Sequence, residues 1–235
     1  MALLLLLETS ANNCSAALSC DQEVLYAEMD TVGMSHSVRL GTFVDKALQV
    51  AEQKGLKIQA VAVSSGPGSY TGLRIGVSMA KGICYAMSIP FIAVPTLDLL
   101  ADELSRMHIC SPDALIRPLI DARRMEVYTA LYDAKGNQLK PAEAVVVDAH
   151  TFDAEMNQAP VWFIGDGSKK CQPHIVSTNA FFKNDITPNA LSMISLAENR
   201  FRNNQFENVA YFEPFYLKDF VATISKKNLI PNLKQ

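Results

Sequence analysis

The order of strand-like and helix-like patterns occurs twice along the chain, and this constrains the fold more than any single motif. Three short apolar or alternating stretches come first, Leu3–Thr9, Cys14–Cys20 and Glu23–Met29, with the turn-forming Asn12–Asn13 between the first two. A helix is predicted next. Ser35 or Ser37 can cap it, Val38, Leu40, Phe43, Val44, Ala47 and Ala51 recur at helical spacing, and Gly55 ends it. A strand over Gln59–Ser64, a glycine-rich turn and a second helix follow. A strand over Phe91–Pro95 then leads to a helix through Leu104 that Thr96 can cap. The second half reads likewise. Strands are expected at Leu115–Asp121, at Glu126–Asp133 and, after the turn Lys135-Gly136-Asn137, up to Val147. A helix near Phe152–Asn157, a strand at Val161–Gly165, a helix near Ser168–His174, a strand at Ala180–Lys183 and a long helix from Asn189 to Arg202 complete it.

Residues echo the repeat. Leu6–Leu18 lies over Leu119–Leu131 without a gap, with Glu8 falling on Asp121, and Ala60–Ser69 lies over Pro160–Lys169. The reading is an α/β chain made of two βββαβαβα-type halves, residues 1–109 and 110–222, with a flexible tail at 223–235. Such a duplicated unit resembles the ribonuclease H-like (actin-like) superfamily of actin, hexokinase and Hsp70. That resemblance implies an acidic residue at the end of the first strand of each half, facing a nucleotide cleft. Glu8 and Asp121 stand at those places.

Charge and cysteine usage narrow the function. The net charge is −3, carried by the first 109 residues, while the remainder is balanced. Neither half is a basic body suited to autonomous nucleic-acid binding. Three tail lysines, Lys226, Lys227 and Lys234, read as solvated. The apolar run Ala2–Leu7 is too short for a signal peptide and has no preceding positive charge, and no stretch has the length of a membrane span. Five scattered cysteines without a CxxC pair fit reduced thiols in a cytoplasmic protein. The four histidines are far apart, so no zinc spacing exists.

The stretch Ser64–Gly76, SSGPGSYTGLRIG, looks at first like a phosphate loop. It lacks the GxxxxGK[ST] spacing, is one residue too long for GxGxxG, and loses a backbone donor at Pro67. Neither hairpin loop, Glu8–Asn13 or Asp121–Glu126, contains the glycine that kinase and chaperone relatives place there. The helix after the turn is unusually apolar. Gly72, Gly76, Ala80 and Cys84 form a stripe of small residues, and Arg74, Ser78, Lys81 and Tyr85 make its only polar strip. Such a helix needs two neighbours. It is either sandwiched inside the chain or presented to a second body, with the Ser35–Gly55 helix beside it.

The start LLLLLETS…CSAALS, the glycine stretch, PLIDARRMEVYTALYD, FIGDG and FEPFYLKDF (Phe212–Phe220) together resemble the TsaB (YeaZ) family of bacteria over nearly the whole chain. That resemblance implies a scaffold without a catalytic site of its own. It pairs with TsaD, a larger relative carrying the metal and the active site. With the ATPase TsaE, the complex transfers a threonylcarbamoyl group to N6 of adenosine 37 in tRNAs reading ANN codons, so tRNA is met only through the complex. Docking through the first two helices implies an interface at His36, Arg39, Leu40, Phe43, Val44, Ala47, Leu73, Gly76, Val77, Ala80 and Cys84, and a homodimer on the same face when TsaD is absent. Glu8, Thr9, Ser10, Gly66, Gly68 and Asp121 would be a vestigial nucleotide cleft, with no resident cofactor and ATP or ADP only at interfaces with partner subunits. TsaD-type proteins carry an HxxxH metal pair on the first helix. Here Leu40 stands four residues after His36, so no metal site is expected. Glu8 is expected to pair with Arg74. The competing readings are a nucleotide-dependent kinase or ATPase using Glu8 and Asp121, and a peptidase. For the latter Ser64 and Ser65 lack a GxSxG elbow.

Overall fold

The computed structural model describes residues 2–31 and 36–218, the side chains of His36 and Ser37 excepted. The expected caps Ser35 and Ser37, the role given to His36, and the tail at 223–235 therefore lie outside the described residues.

The first half contains β1 (Leu3–Glu8), β2 (Cys14–Cys20), β3 (Glu23–Asp30), α1 (His36–Gln53), β4 (Ala60–Gly66), α2 (Tyr70–Met87), β5 (Phe91–Pro95) and α3 (Thr96–Arg106). The second contains β6 (Leu115–Asp121), β7 (Glu126–Asp133), β8 (Gln138–Val146), α4 (Asp153–Met156), β9 (Val161–Ile164), α5 (Ser168–Cys171), β10 (Ala180–Lys183) and α6 (Ile194–Arg202). The sheets have the same topology, β3-β2-β1-β4-β5 and β8-β7-β6-β9-β10. In each, three antiparallel strands continue into two parallel ones. This is the duplicated ribonuclease H-like fold that the element order predicts.

The register refines the internal alignment. Glu8 pairs with Ser15, whereas Asp121 pairs with Val127, so the second hairpin loop is one residue shorter and the repeat needs a gap there. Leu5 pairs with Val61, but its counterpart Pro118 pairs with Ile164, three residues beyond the expected partner. The proposed match of Ala60–Ser69 to Pro160–Lys169 therefore does not hold.

β1 shows why a run of leucines makes a central strand. Side chains alternate between sheet faces. Leu3, Leu5 and Leu7 enter one core with α1 and α2, and Leu4 and Leu6 enter a second core beneath α6, so every residue of β1 is buried. The last helix of each half reaches the other half's sheet, α3 while also packing Leu99 against the first sheet. Leu97, Leu100 and Leu104 of α3 pack with Ile116, Ile120 and Tyr132 of the second sheet. Met193, Ile194 and Ala197 around the start of α6 pack under the first sheet. α6 begins five residues later than expected. Asn189, placed at its start by the sequence, instead caps a turn by accepting the Ser192 amide at 3.0 Å. Thr96 is not a cap either. It is the first helical residue after Pro95, and its hydroxyl is buried without a hydrogen-bond partner among the described residues. The cap that forms is Ser69, whose hydroxyl accepts the Gly72 amide at the start of α2.

Candidate functional site

The glycine turn is filled by the chain's own first hairpin. A Cβ on Gly68 would collide with the Ser10 carbonyl, one on Gly72 with the Thr9 carbonyl, and one on Gly76 with the Thr9 hydroxyl. Thr9 Oγ1 donates to the Gly72 carbonyl at 2.7 Å, and the Ser69 amide donates to the Ser10 carbonyl at 2.7 Å. The glycines let residues 9 and 10 press against the turn and the first turns of α2. The place where a phosphate would meet backbone amides is thus taken by protein carbonyls, and Pro67 offers no donor. These residues do not fit a nucleotide polyphosphate.

The two acidic residues at the strand ends have different surroundings. Glu8 is fully buried. Its Oε1 accepts the Ser10 amide at 2.5 Å and the Ser64 hydroxyl at 3.0 Å, while Oε2 has no hydrogen-bond partner among the described residues. Burial pushes its carboxyl above the usual range, against the opposing pull of those hydrogen bonds. The expected pair with Arg74 does not form. Glu8 turns inward under the hairpin, whereas Arg74 lies on the exposed side of α2, its guanidinium 4.8 Å from the Tyr70 ring centre. Asp121 is exposed. It accepts Lys170 Nζ at 2.6 Å and the Arg123 amide at 2.6 Å. Its own amide donates to Asp166, whose carboxyl burial pushes up.

A cleft of about 580 Å³ lies between the halves. Of the residues expected to line it, Ser10, Gly68 and Asp121 do so; Glu8, Thr9 and Gly66 lie beneath. The sequence reading missed Asp166 and the segment Phe215–Lys218, which also face the cleft. The acidic spacing of GDG in FIGDG was the one available sign of Asp166.

The first two helices lie side by side on one face of the first sheet, as expected. The residues assigned to their docking surface are placed differently. Leu40, Phe43, Val44, Ala47, Leu73, Gly76, Val77, Ala80 and Cys84 are buried in the chain's own core, and of the assigned residues with described side chains only Arg39 is exposed. Arg39 pairs with Asp30 of β3 at 3.2 Å. The small-residue stripe is consumed by close approach to β1 and β4, since Gly76 faces Thr9 and Val63. What α1 and α2 offer outward is another set. Ile75, Met79 and Ile83 of α2 and Leu48 of α1 are half-buried along the seam, while Val38 is 69% and Tyr85 is 83% exposed. Gly41 and Gly82 lie in helix interiors on this side, and a Cβ on either would meet nothing within 4 Å. At 100° per residue, Gly41 and Leu48 fall on the flank of α1 toward α2, and Ile75 and Met79 on the flank of α2 toward α1.

Comparisons with known proteins agree with this architecture. A family model described as TsaD, tRNA N6-adenosine threonylcarbamoyltransferase, matches residues 30–226. The tRNA threonylcarbamoyladenosine biosynthesis protein TsaB of Bacillus subtilis is 34% identical over 168 residues, covering 69% of this chain and 70% of that protein. The TsaB protein of Escherichia coli is 28% identical over 225 residues, 93% and 96% of the two chains. The structure of YeaZ from Pseudomonas aeruginosa superposes with a TM-score of 0.73 at 25% identity, covering 92% of this chain and all of that one. By its sequence relatives and by its duplicated fold alike, the chain belongs to the TsaB (YeaZ) family of tRNA threonylcarbamoyladenosine biosynthesis proteins.

Proposed function

We propose that the chain is a non-catalytic subunit that holds TsaD in its active arrangement for N6-threonylcarbamoyladenosine formation at adenosine 37 of tRNAs reading ANN codons. It docks through the outward seam of α1 and α2. The carrying observation is the pair Gly41 and Gly82. A glycine inside a helix costs about 0.5–1 kcal/mol relative to alanine. At these two positions nothing among the described residues requires the missing Cβ. The requirement is met by a partner helix that approaches the backbone closely over a seam of Ile75, Met79 and Leu48. The same seam supports a homodimer when TsaD is absent. TsaE supplies ATPase activity, and ATP or ADP sits at interfaces with these partners, because the cleft between the halves lacks a polyphosphate cradle. The complex works in the cytoplasm. No helix among the described residues is long and apolar enough to cross a membrane.

Sedimentation of the chain alone and mixed with its cognate TsaD, with ATP hydrolysis followed on the same samples, tests the reading. A stable heteromer and no turnover by the isolated chain are expected. Gly82→Arg has open space in the free chain, so it should fold normally and weaken TsaD binding by about 100-fold or more. Unchanged binding by folded Gly82→Arg would remove this face, and turnover by the chain alone would favour the enzyme reading.

A further inference from the structure

The motif FEPFYLK has a physical role of its own. After α6 the chain runs along the open edge of the first sheet. The Glu207 amide donates to the Phe91 carbonyl at 2.9 Å, and the Phe212 ring packs on the Phe91 ring with centres 4.9 Å apart. Lys81 of α2 reaches out and donates to the Ala210 and Phe212 carbonyls at 3.2 and 3.0 Å. The Phe215 amide then donates to the Ser65 carbonyl at 2.7 Å, directly over Gly66. A Cβ on Gly66 would stand 2.6 Å from the Phe215 carbonyl, so this glycine is where the segment crosses the turn. Tyr216 packs on Tyr70 with ring centres 5.0 Å apart. The chain then leaves the first half and crosses the mouth of the cleft. Lys218 forms an ion pair with Glu126 at the start of β7, in the second half.

We propose that residues 207–218 are a clasp, fixed to the first half and latched to the second by the Lys218–Glu126 pair, and that release of this latch opens the cleft. The asymmetry carries the inference. On the first half the segment is held by backbone hydrogen bonds, a lysine clamp and aromatic packing. Among the described residues, its hold on the second half is a pair whose side chains are 47% and 20% exposed. Pairs of that kind contribute about 0.2–1 kcal/mol and are screened by salt. The latch is therefore the weakest point of the closure, and it opens before the segment peels from α2. The proposal stands independently of the docking reading above.

Amide hydrogen exchange on the full chain tests it, with Lys218→Met, Glu126→Gln and the double variant. Either single change should speed exchange in the loop 122–126, whose Glu126 amide donates to the Arg123 carbonyl, by up to about fivefold, the ratio that the strength of such a pair allows, while the Phe215 amide, bonded to Ser65 on the first half, should stay protected. The double variant should be no faster than either single one, because both remove the same interaction. Half-molar salt should bring the wild type toward the variants. The Val161 amide, bonded to the Asn179 carbonyl inside the second half, should stay protected and so report an intact fold. Unchanged exchange in the single variants, or additive acceleration in the double variant, would overturn the clasp.

Discussion

Glu8 shows how far a single letter can be read. Its position at the end of the first strand was legible, because an apolar run ending in one acid before a polar loop marks where β1 leaves the core. Its partner was not, because Ser64 is 56 residues away and the hairpin that seals the carboxyl folds back over α2. The sealed state makes a pH prediction. The folded carboxyl titrates above its ordinary value of 4.5, so the folded chain binds the proton more tightly than the unfolded chain does. The stabilisation that comes from the protonated form is complete below the unfolded value and is lost as pH rises through the folded one. Asp98, Glu103 and Asp166 are also raised by burial and act in the same direction. The difference between Glu8→Gln and wild type isolates the one group. Urea midpoints measured upward from pH 4.5 should show wild-type stability falling with pH by up to ~1.4 kcal/mol per unit while Glu8 titrates. The Glu8→Gln variant should lose that part of the slope; parallel curves would mean Glu8 is not the group responsible.

At the scale of the element, the sequence of α2 reads as a helix more apolar than one buried face needs, and in the structure much of that apolar surface packs in the chain's own core. Which side faced which neighbour was beyond periodicity. A stripe of glycine and alanine signals close approach but does not say to what. The partner of the Gly72–Gly76 stripe is Thr9, through its carbonyl and its hydroxyl, brought there by a parallel β1–β4 pairing that is non-local in sequence. The same limit explains the caps. Ser69 was hidden by the glycine motif around it, while Thr96 had the right chemistry at a helix start but is buried, one residue inside the helix. The two kinds of glycine in α2 should respond oppositely to alanine. Gly76→Ala forces a methyl group against Thr9 and Val63 and should destabilise by about 1–3 kcal/mol. Gly82→Ala enters open space in the middle of the helix and should stabilise the isolated chain by about 0.5–1 kcal/mol. Urea denaturation of both variants with TsaD absent measures the pair. Equal effects would mean that the two faces of α2 are not distinct.

The whole molecule is where the sequence reading was both strongest and most incomplete. Two repeated element orders were enough for the fold class, since few arrangements let three meandering strands and two helix-linked strands bury both faces of one sheet. The exchange of terminal helices left no trace in periodicity, because an amphipathic helix reads the same whichever sheet it covers. Its consequence is energetic. Without residues 190–197, Leu4, Leu6, Ile92 and Val94 on the first sheet lose most of the cluster they share with Met193, Ile194 and Ala197, and without the second sheet Leu97, Leu100 and Leu104 of α3 lose the cluster they pack in. Tyr132 also donates from β7 to Asp98 of α3 at 2.8 Å, tying the crossing at a polar point. The halves share their cores, so neither can satisfy its apolar faces alone. Residues 1–109 expressed separately should therefore give no cooperative unfolding transition and should expose apolar surface to a dye such as ANS. In the full chain, the fluorescence of Trp162, the single tryptophan and a residue of β9, reports the second half, while far-UV circular dichroism reports both. The two signals should share one urea midpoint, as a single cooperative unit requires. Separate midpoints, or a fragment that unfolds cooperatively, would show that the helix exchange joins two units that are already stable.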